Sequence, residues 1–184
     1  MKRSTVIVLV IFLALVSLML YLNQKDPETE ETATTPAAPI EFLFSDSDGL
    51  PTSIDIKSKD GEQTVLARNE AGAWVLKKPT ETEADQASAE AAASQITSLR
   101  IESKLEVAPE AAGLVLASYT LTVETSSGTI KTVRIGDLAP TGVGYYALIS
   151  GSDETLIISQ AGLDALLTLL ESPPYINEPE TSTP

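Results

Sequence analysis

Residues 53–76 read SIDIKSKDGEQTVLARNEAGAWVL, and their pattern decides the fold. Ile54 and Ile56 alternate with Asp55 and Lys57, the period-two signature of a strand with one buried face. Asp60-Gly61 is a hairpin signal, because Gly reaches positive φ without a Cβ penalty. Thr64–Arg68 returns along the first strand, Ala71-Gly72 turns again, and Ala73–Leu76 forms a third strand ending near Pro79. Three short strands in succession predict an antiparallel meander.

Beyond Pro79 the hydrophobic period changes from two to about 3.6. Asp85 is placed to cap a helix, and Ala89, Ala92, Ile96 and Leu99 recur three or four residues apart. An Ala-rich amphipathic helix is therefore expected over Asp85–Glu102. The second half repeats the plan. Tyr119–Glu124 alternates, Ser126-Ser127-Gly128 turns, and Ile130–Ile135 alternates back. A loop over Gly136–Gly144 leads to a strand at Tyr145–Ile149, and Ser150–Asp153 turns into Thr155–Ser159. Gln160–Glu171 has a helical period with Leu163, Leu166, Leu167 and Leu170 inward, and Pro173-Pro174 stops it. Superposing Asp60-Gly61 on Ser127-Gly128 brings Trp74-Val75 within a few residues of Tyr145-Tyr146. The expected fold class is α+β, with antiparallel meanders and two packing helices; the likeness of the halves is either a diverged duplication of a βββα unit or a chance similarity of two meanders. On the N-terminal side, Ile40–Phe44 opens this part as a strand, followed by the turn-rich Ser45–Gly49.

Further out lies a segment of another kind. Thr5–Leu22 is eighteen uncharged, mostly aliphatic residues, which as a helix spans roughly 27 Å, close to a bilayer core. A signal peptide has a shorter apolar core and a small-residue cleavage site; Leu20–Lys25 offers no A-x-A pattern, so the segment reads as a retained anchor. Lys2 and Arg3 precede it, whereas Lys25 is trailed by Asp26, Glu28, Glu30 and Glu31. The positive-inside bias puts the N-terminus in the cytoplasm and the remainder outside, in a periplasm or at a cell surface. The expected organisation is a cytoplasmic stub and transmembrane anchor at 1–22 and an acidic, Pro-containing linker at 23–39. An extracytoplasmic α+β domain at 40–176 and a polar tail at 177–184 follow.

Composition narrows the function. The chain has 12 basic and 26 acidic residues, a net charge of -14, and no His or Cys. Such a charge repels phosphate backbones and no basic stripe offsets it, so nucleic acid is not an expected partner. Without Cys an external domain must rely on an ordinary hydrophobic core. The absence of His removes Ser-His-Asp and Cys-His arrangements, and no Lys has a Ser three positions before it for a Ser-Lys hydrolase.

The remaining motifs are weak. Asp46-x-Asp48-Gly49 hints at a calcium loop, but its first position would be Phe44 and its twelfth Asp55, so an Asx-type turn is the better reading. Gly136, Gly142 and Gly144 match neither a dinucleotide fingerprint nor a P-loop. Trp74, Tyr145 and Tyr146 are candidates for an aromatic surface, although adjacent strand residues face opposite ways. Asp153-Glu154 and Glu81/Glu83 are carboxylate pairs that 26 acids produce by number alone. No catalytic, cofactor-binding or metal site is assigned.

Trp74-x-Leu76-x-x-Pro79, Ala84-Asp85, Ala112-Gly113-Leu114, Tyr119–Val123, Ile135-Gly136-Asp137, Gly142 and Tyr145-Tyr146 occur here in order. In that order the chain resembles the bacterial domain of unknown function 4340 family over roughly Ile54–Pro174. Val115–Ser118 departs from the pattern, where a proline-bearing step is expected. The resemblance implies a membrane-anchored extracytoplasmic protein, with some members beside ABC-type transport systems, and carries over no catalytic residue. The expectation is a non-enzymatic interaction or accessory module with a membrane-protein partner. The alternative is a module that binds an envelope polysaccharide or peptide through the strand aromatics; an envelope hydrolase ranks third.

Overall fold

The computed structural model describes residues 40–176 and, ahead of them, Ser17. Ser17 apart, the expected membrane segment Thr5–Leu22, the linker 23–39 and the tail 177–184 lie outside the described residues. Among the described residues no helix is long and apolar enough to cross a membrane.

The chain from residue 40 runs through β1 (Glu41–Phe42), β2 (Pro51–Ser58), β3 (Gln63–Arg68), β4 (Trp74–Lys78) and β5 (Thr82–Glu83) into helix α1 (Gln86–Thr97). It continues through β6 (Arg100–Leu105), β7 (Tyr119–Thr125), β8 (Ile130–Leu138), β9 (Gly144–Ile149) and β10 (Thr155–Ser159) into helix α2 (Gln160–Glu171). The strands form one sheet in the order β1-β6-β10-β9-β8-β7-β2-β3-β4-β5, antiparallel at every pairing. The fold is α+β.

Alternation sets which face is buried. Ile54, Ile56, Leu66, Trp74, Leu76, Leu121, Val123, Val133 and Ile135 point to one face. There they meet Ala89, Ala92, Ala93 and Ile96 of α1 and Leu163, Leu166 and Leu169 of α2. On the other face the 106–118 segment contributes Ala112 and Leu114 to a smaller cluster with Leu148. Removing this apolar area from water, at about 25 cal/mol per Å², is the main favourable term in folding.

The two halves follow one plan. Ile54 pairs with Leu66 around the Asp60-Gly61 turn, and Leu121 pairs with Val133 around Ser127-Gly128. One constant added to the residue number carries the first set onto the second. The halves meet along β2 and β7, and each sends a segment across to the other. After α1, β6 covers β10, with Lys104 opposite Leu156. After α2, Tyr175 bridges Ala84 and Asp85 N–H donates to Pro174 O at 2.9 Å.

Three expectations need correction. The first helix ends at Thr97 rather than Glu102. Ser98 folds its hydroxyl back onto Ser94 O (3.0 Å) and Gln95 O (3.1 Å), occupying the last carbonyls. Arg100–Leu105 is then drawn into β6 by the open edge of β10. The inward leucine late in α2 is Leu169, with Leu167 and Leu170 half-buried at the margin. The expected first strand is only Glu41–Phe42; Leu43 makes one further bond, its N–H to Leu99 O, before its side chain and that of Phe44 enter the core.

Candidate functional site

A groove of about 700 Å³ runs between the two helices. Asp85 starts α1 by accepting a hydrogen bond from Ser88 N–H at 2.8 Å, as an N-cap should. The next turns put Ser88, Ala91, Ala92 and Gln95 on one stripe, three and four residues apart. Ala165, Thr168 and Leu169 of α2 form the opposite wall, and Leu166 lies buried between. Small side chains on α1 keep the groove open, because nothing longer than Gln95 reaches across. Pro173, Pro174 and Tyr175 close one end, with Tyr175 41% exposed. Glu171 is the single charged residue in the lining.

Two smaller, polar hollows of about 410 and 230 Å³ adjoin at Glu62, Tyr119 and Tyr145. Tyr145 O–H donates to Asp164 Oδ1 at 2.8 Å. Burial, then the Asp164 carboxylate, pushes this phenol up to about 12. At neutral pH it is a fixed hydrogen-bond donor, not a base.

The residues singled out by sequence do not converge. Trp74 is 1% exposed. Its indole Nε1–H donates to Glu90 Oε2 at 2.8 Å, and the Arg68 guanidinium lies 4.4 Å from its ring centroid. Tyr145 faces the helices, whereas Tyr146 packs on the opposite face against the Leu114 and Leu148 cluster. The three aromatics therefore form no common platform. Asp48 turns its carboxylate inward to Ser45 N–H (2.7 Å), Ser45 Oγ (2.9 Å) and Lys131 Nζ (3.2 Å). These bonds, the Ser45 N–H first, hold its carboxyl below the usual carboxylate range. The segment is thus not the expected Asx-type turn: Asp46–Asp48 is a 3₁₀ turn whose last residue reaches back to the Ser45 N–H, in the manner of a capping box. Asp153 and Glu154 are exposed in a turn, and Glu81 pairs with Lys77. Among the described residues no three carboxylates are grouped to hold a metal ion.

Two of the ordered motifs meet in space. Ala112-Gly113-Leu114 crosses β8 at Ile135-Gly136-Asp137, with Asp137 N–H donating to Ala112 O at 3.1 Å. A Cβ on Gly136 would collide with Ala112 O, and one on Gly113 would lie 2.6 Å from Asp137 Oδ2. Both glycines are fixed by this close approach.

The family described as domain of unknown function (DUF4340) matches the chain over residues 53–172. The chain belongs to the DUF4340 family. Its matched span covers β2 through α2, hence both halves, the clasp at Gly136 and both groove walls. No curated protein and no solved structure matches this DUF4340 member. Sequence reasoning missed the groove; its signal was the run Ala91-Ala92-Ala93, read only as a helix former.

Proposed function

We propose that this protein is a membrane-anchored extracytoplasmic interaction module, held by Thr5–Leu22 and binding a membrane-protein partner through the α1/α2 groove. The observation that carries the reading is the groove itself. In a chain of net charge -14, it is an open hollow of about 700 Å³ lined by Ala, Leu, Pro, Ser and Thr with Gln95, Tyr175 and one carboxylate. Six of its thirteen lining residues carry polar side chains, so the groove offers hydrogen-bonding groups beside apolar surface, the mixture that orients a bound partner. Anchoring confines the module to two dimensions and raises its effective concentration beside a membrane partner. A subunit of an ABC-type transport system is the partner class that the family's setting favours. The matched halves and their reciprocal strand exchange support an internal duplication as the origin of the domain.

The test is affinity purification of the full-length protein from detergent-solubilised membranes. Ala91→Glu, which places a charge in the groove wall, should lose a co-purifying membrane protein that Thr132→Glu, on the other sheet face, retains. Equal recovery with both variants argues against the groove. Recovery of the protein in the soluble fraction argues against the anchor.

A further inference from the structure

We infer that Leu43–Leu50 is a detachable strap, able to leave the sheet and helices without unfolding them. The segment's regular structure is a single 3₁₀ turn, Asp46–Asp48, and it contributes no strand to the sheet, yet Leu43 and Phe44 are only 2% and 4% exposed. Its fastenings sit at its two ends. Leu43 N–H donates to Leu99 O at 2.8 Å. At the far end Ser126 N–H donates to Leu50 O at 2.8 Å, and Ser127 Oγ donates to Asp48 O at 2.7 Å. Lys131 of β8 ties the ends together. Its ammonium reaches Leu43 O at 2.9 Å and Asp48 Oδ2 at 3.2 Å, and lies 4.8 Å from the centre of the Phe44 ring.

The molecule contains its own control. The counterpart of Lys131 in the first half is Thr64, which donates directly to Leu169 O of α2 at 2.8 Å. There helix and sheet are joined without a strap. The segment that precedes β7, in the place the strap holds before β2, packs on the opposite face of the sheet. One half thus closes without such a piece, and the strap also lies outside the family's span of 53–172. It is an addition to the fold, wedged beside the last turn of α1, where Phe44 and Thr97 line one small hollow.

Opening it breaks the Lys131 contacts and exposes two apolar side chains, leaving the β2–β7 seam and the helix packing intact. Such a unit opens at lower free energy than the whole domain. With the chain held in a bilayer as proposed above, load on the tether reaches the strap before β2; the opening itself does not depend on that reading.

Native-state hydrogen exchange of the full-length protein in detergent micelles tests it. The amides of Leu43 and Asp48 should exchange at least about tenfold faster than those of Ile54 and Leu121, after correction for intrinsic rates. Lys131→Met should speed the strap amides about tenfold further and leave the core amides unchanged. Asp48→Asn, which removes the charge pair and keeps the side-chain shape, should act in the same direction. A common protection for strap and core, or equal acceleration of both in the variants, overturns the inference.

Discussion

Asp55 of β2 lies directly opposite Thr122 of β7, and the numerical offset that carries Ile54 onto Leu121 carries Asp55 onto Thr122. The pair therefore marks the pseudo-two-fold axis of the sheet. Gln63 Nε2 donates to both Asp55 carboxylate oxygens, at 2.8 and 3.0 Å, whereas Thr122 Oγ1 bonds Thr132 Oγ1 at 3.2 Å. The backbone pairing is alike on the two sides although the side-chain bonds differ. Because β6 covers β10 and Tyr175 bridges Ala84, each half carries part of the other's edge. A protease site placed at Leu116, 87% exposed in the connection, should give a cut protein that elutes as one species. Separation into two fragments should need denaturant, and separation in native buffer contradicts the reciprocal arrangement.

Trp74 joins β4 to α1 through Glu90, with Arg68 bound to the same carboxylate oxygen at 2.6 Å. Trp74→Ala should cost about 3–5 kcal/mol, as for other buried aromatics. Glu90→Ala should cost about 1 kcal/mol, since that carboxylate is half exposed. The Trp74 hydrogen bond, then Arg68, holds the Glu90 carboxyl below its ordinary 4.5. Its contribution is present above 4.5 and is lost as pH falls below that value. Urea unfolding at pH 7 and pH 3 should show a smaller penalty for Glu90→Ala at the lower pH. An unchanged penalty refutes the assignment.

The meander strands were legible because each strand pairs its neighbour and carries its own alternation, as Ile54/Ile56 and Leu121/Val123 do. The turns at Gly61 and Gly128 were legible for the same local reason, both glycines having positive φ. The end of α1 was not, because Leu99 extends the helical period although it is buried after the helix has stopped. Arg100–Leu105 does alternate charged with half-buried residues, but its reason to be a strand is the distant edge of β10. The groove was hidden for a related reason. Ala91 and Ala165 are far apart in sequence, and small side chains give no pattern of their own.

Gly136 and Gly128 separate two roles for glycine. Gly136→Ala drives a methyl into Ala112 O and should destabilise by about 2–4 kcal/mol. Gly128→Ala meets nothing within 4 Å but must hold φ at 81°, costing about 1–2 kcal/mol. Chemical denaturation of both variants checks the order, and the reverse order contradicts the clasp.

Tyr145 should ionise well above the ordinary range of a tyrosine. Its phenol is raised above the ordinary 10 to about 12 by burial and by Asp164. The stabilisation is complete below pH 10 and disappears as pH rises from 10 through 12. Absorbance titration of phenolate should show a late step that Tyr145→Phe removes; a late step that survives the substitution refutes it.

The most direct measurement is photo-cross-linking in living cells from single positions of the full-length protein. A photoreactive residue at Ala91 or Thr168, on the two groove walls, should give the same adduct with one membrane protein. The same residue at Thr132, on the opposite sheet face, should give none. Absence of that adduct from both groove positions, or an identical adduct from Thr132, contradicts a groove-borne interaction module.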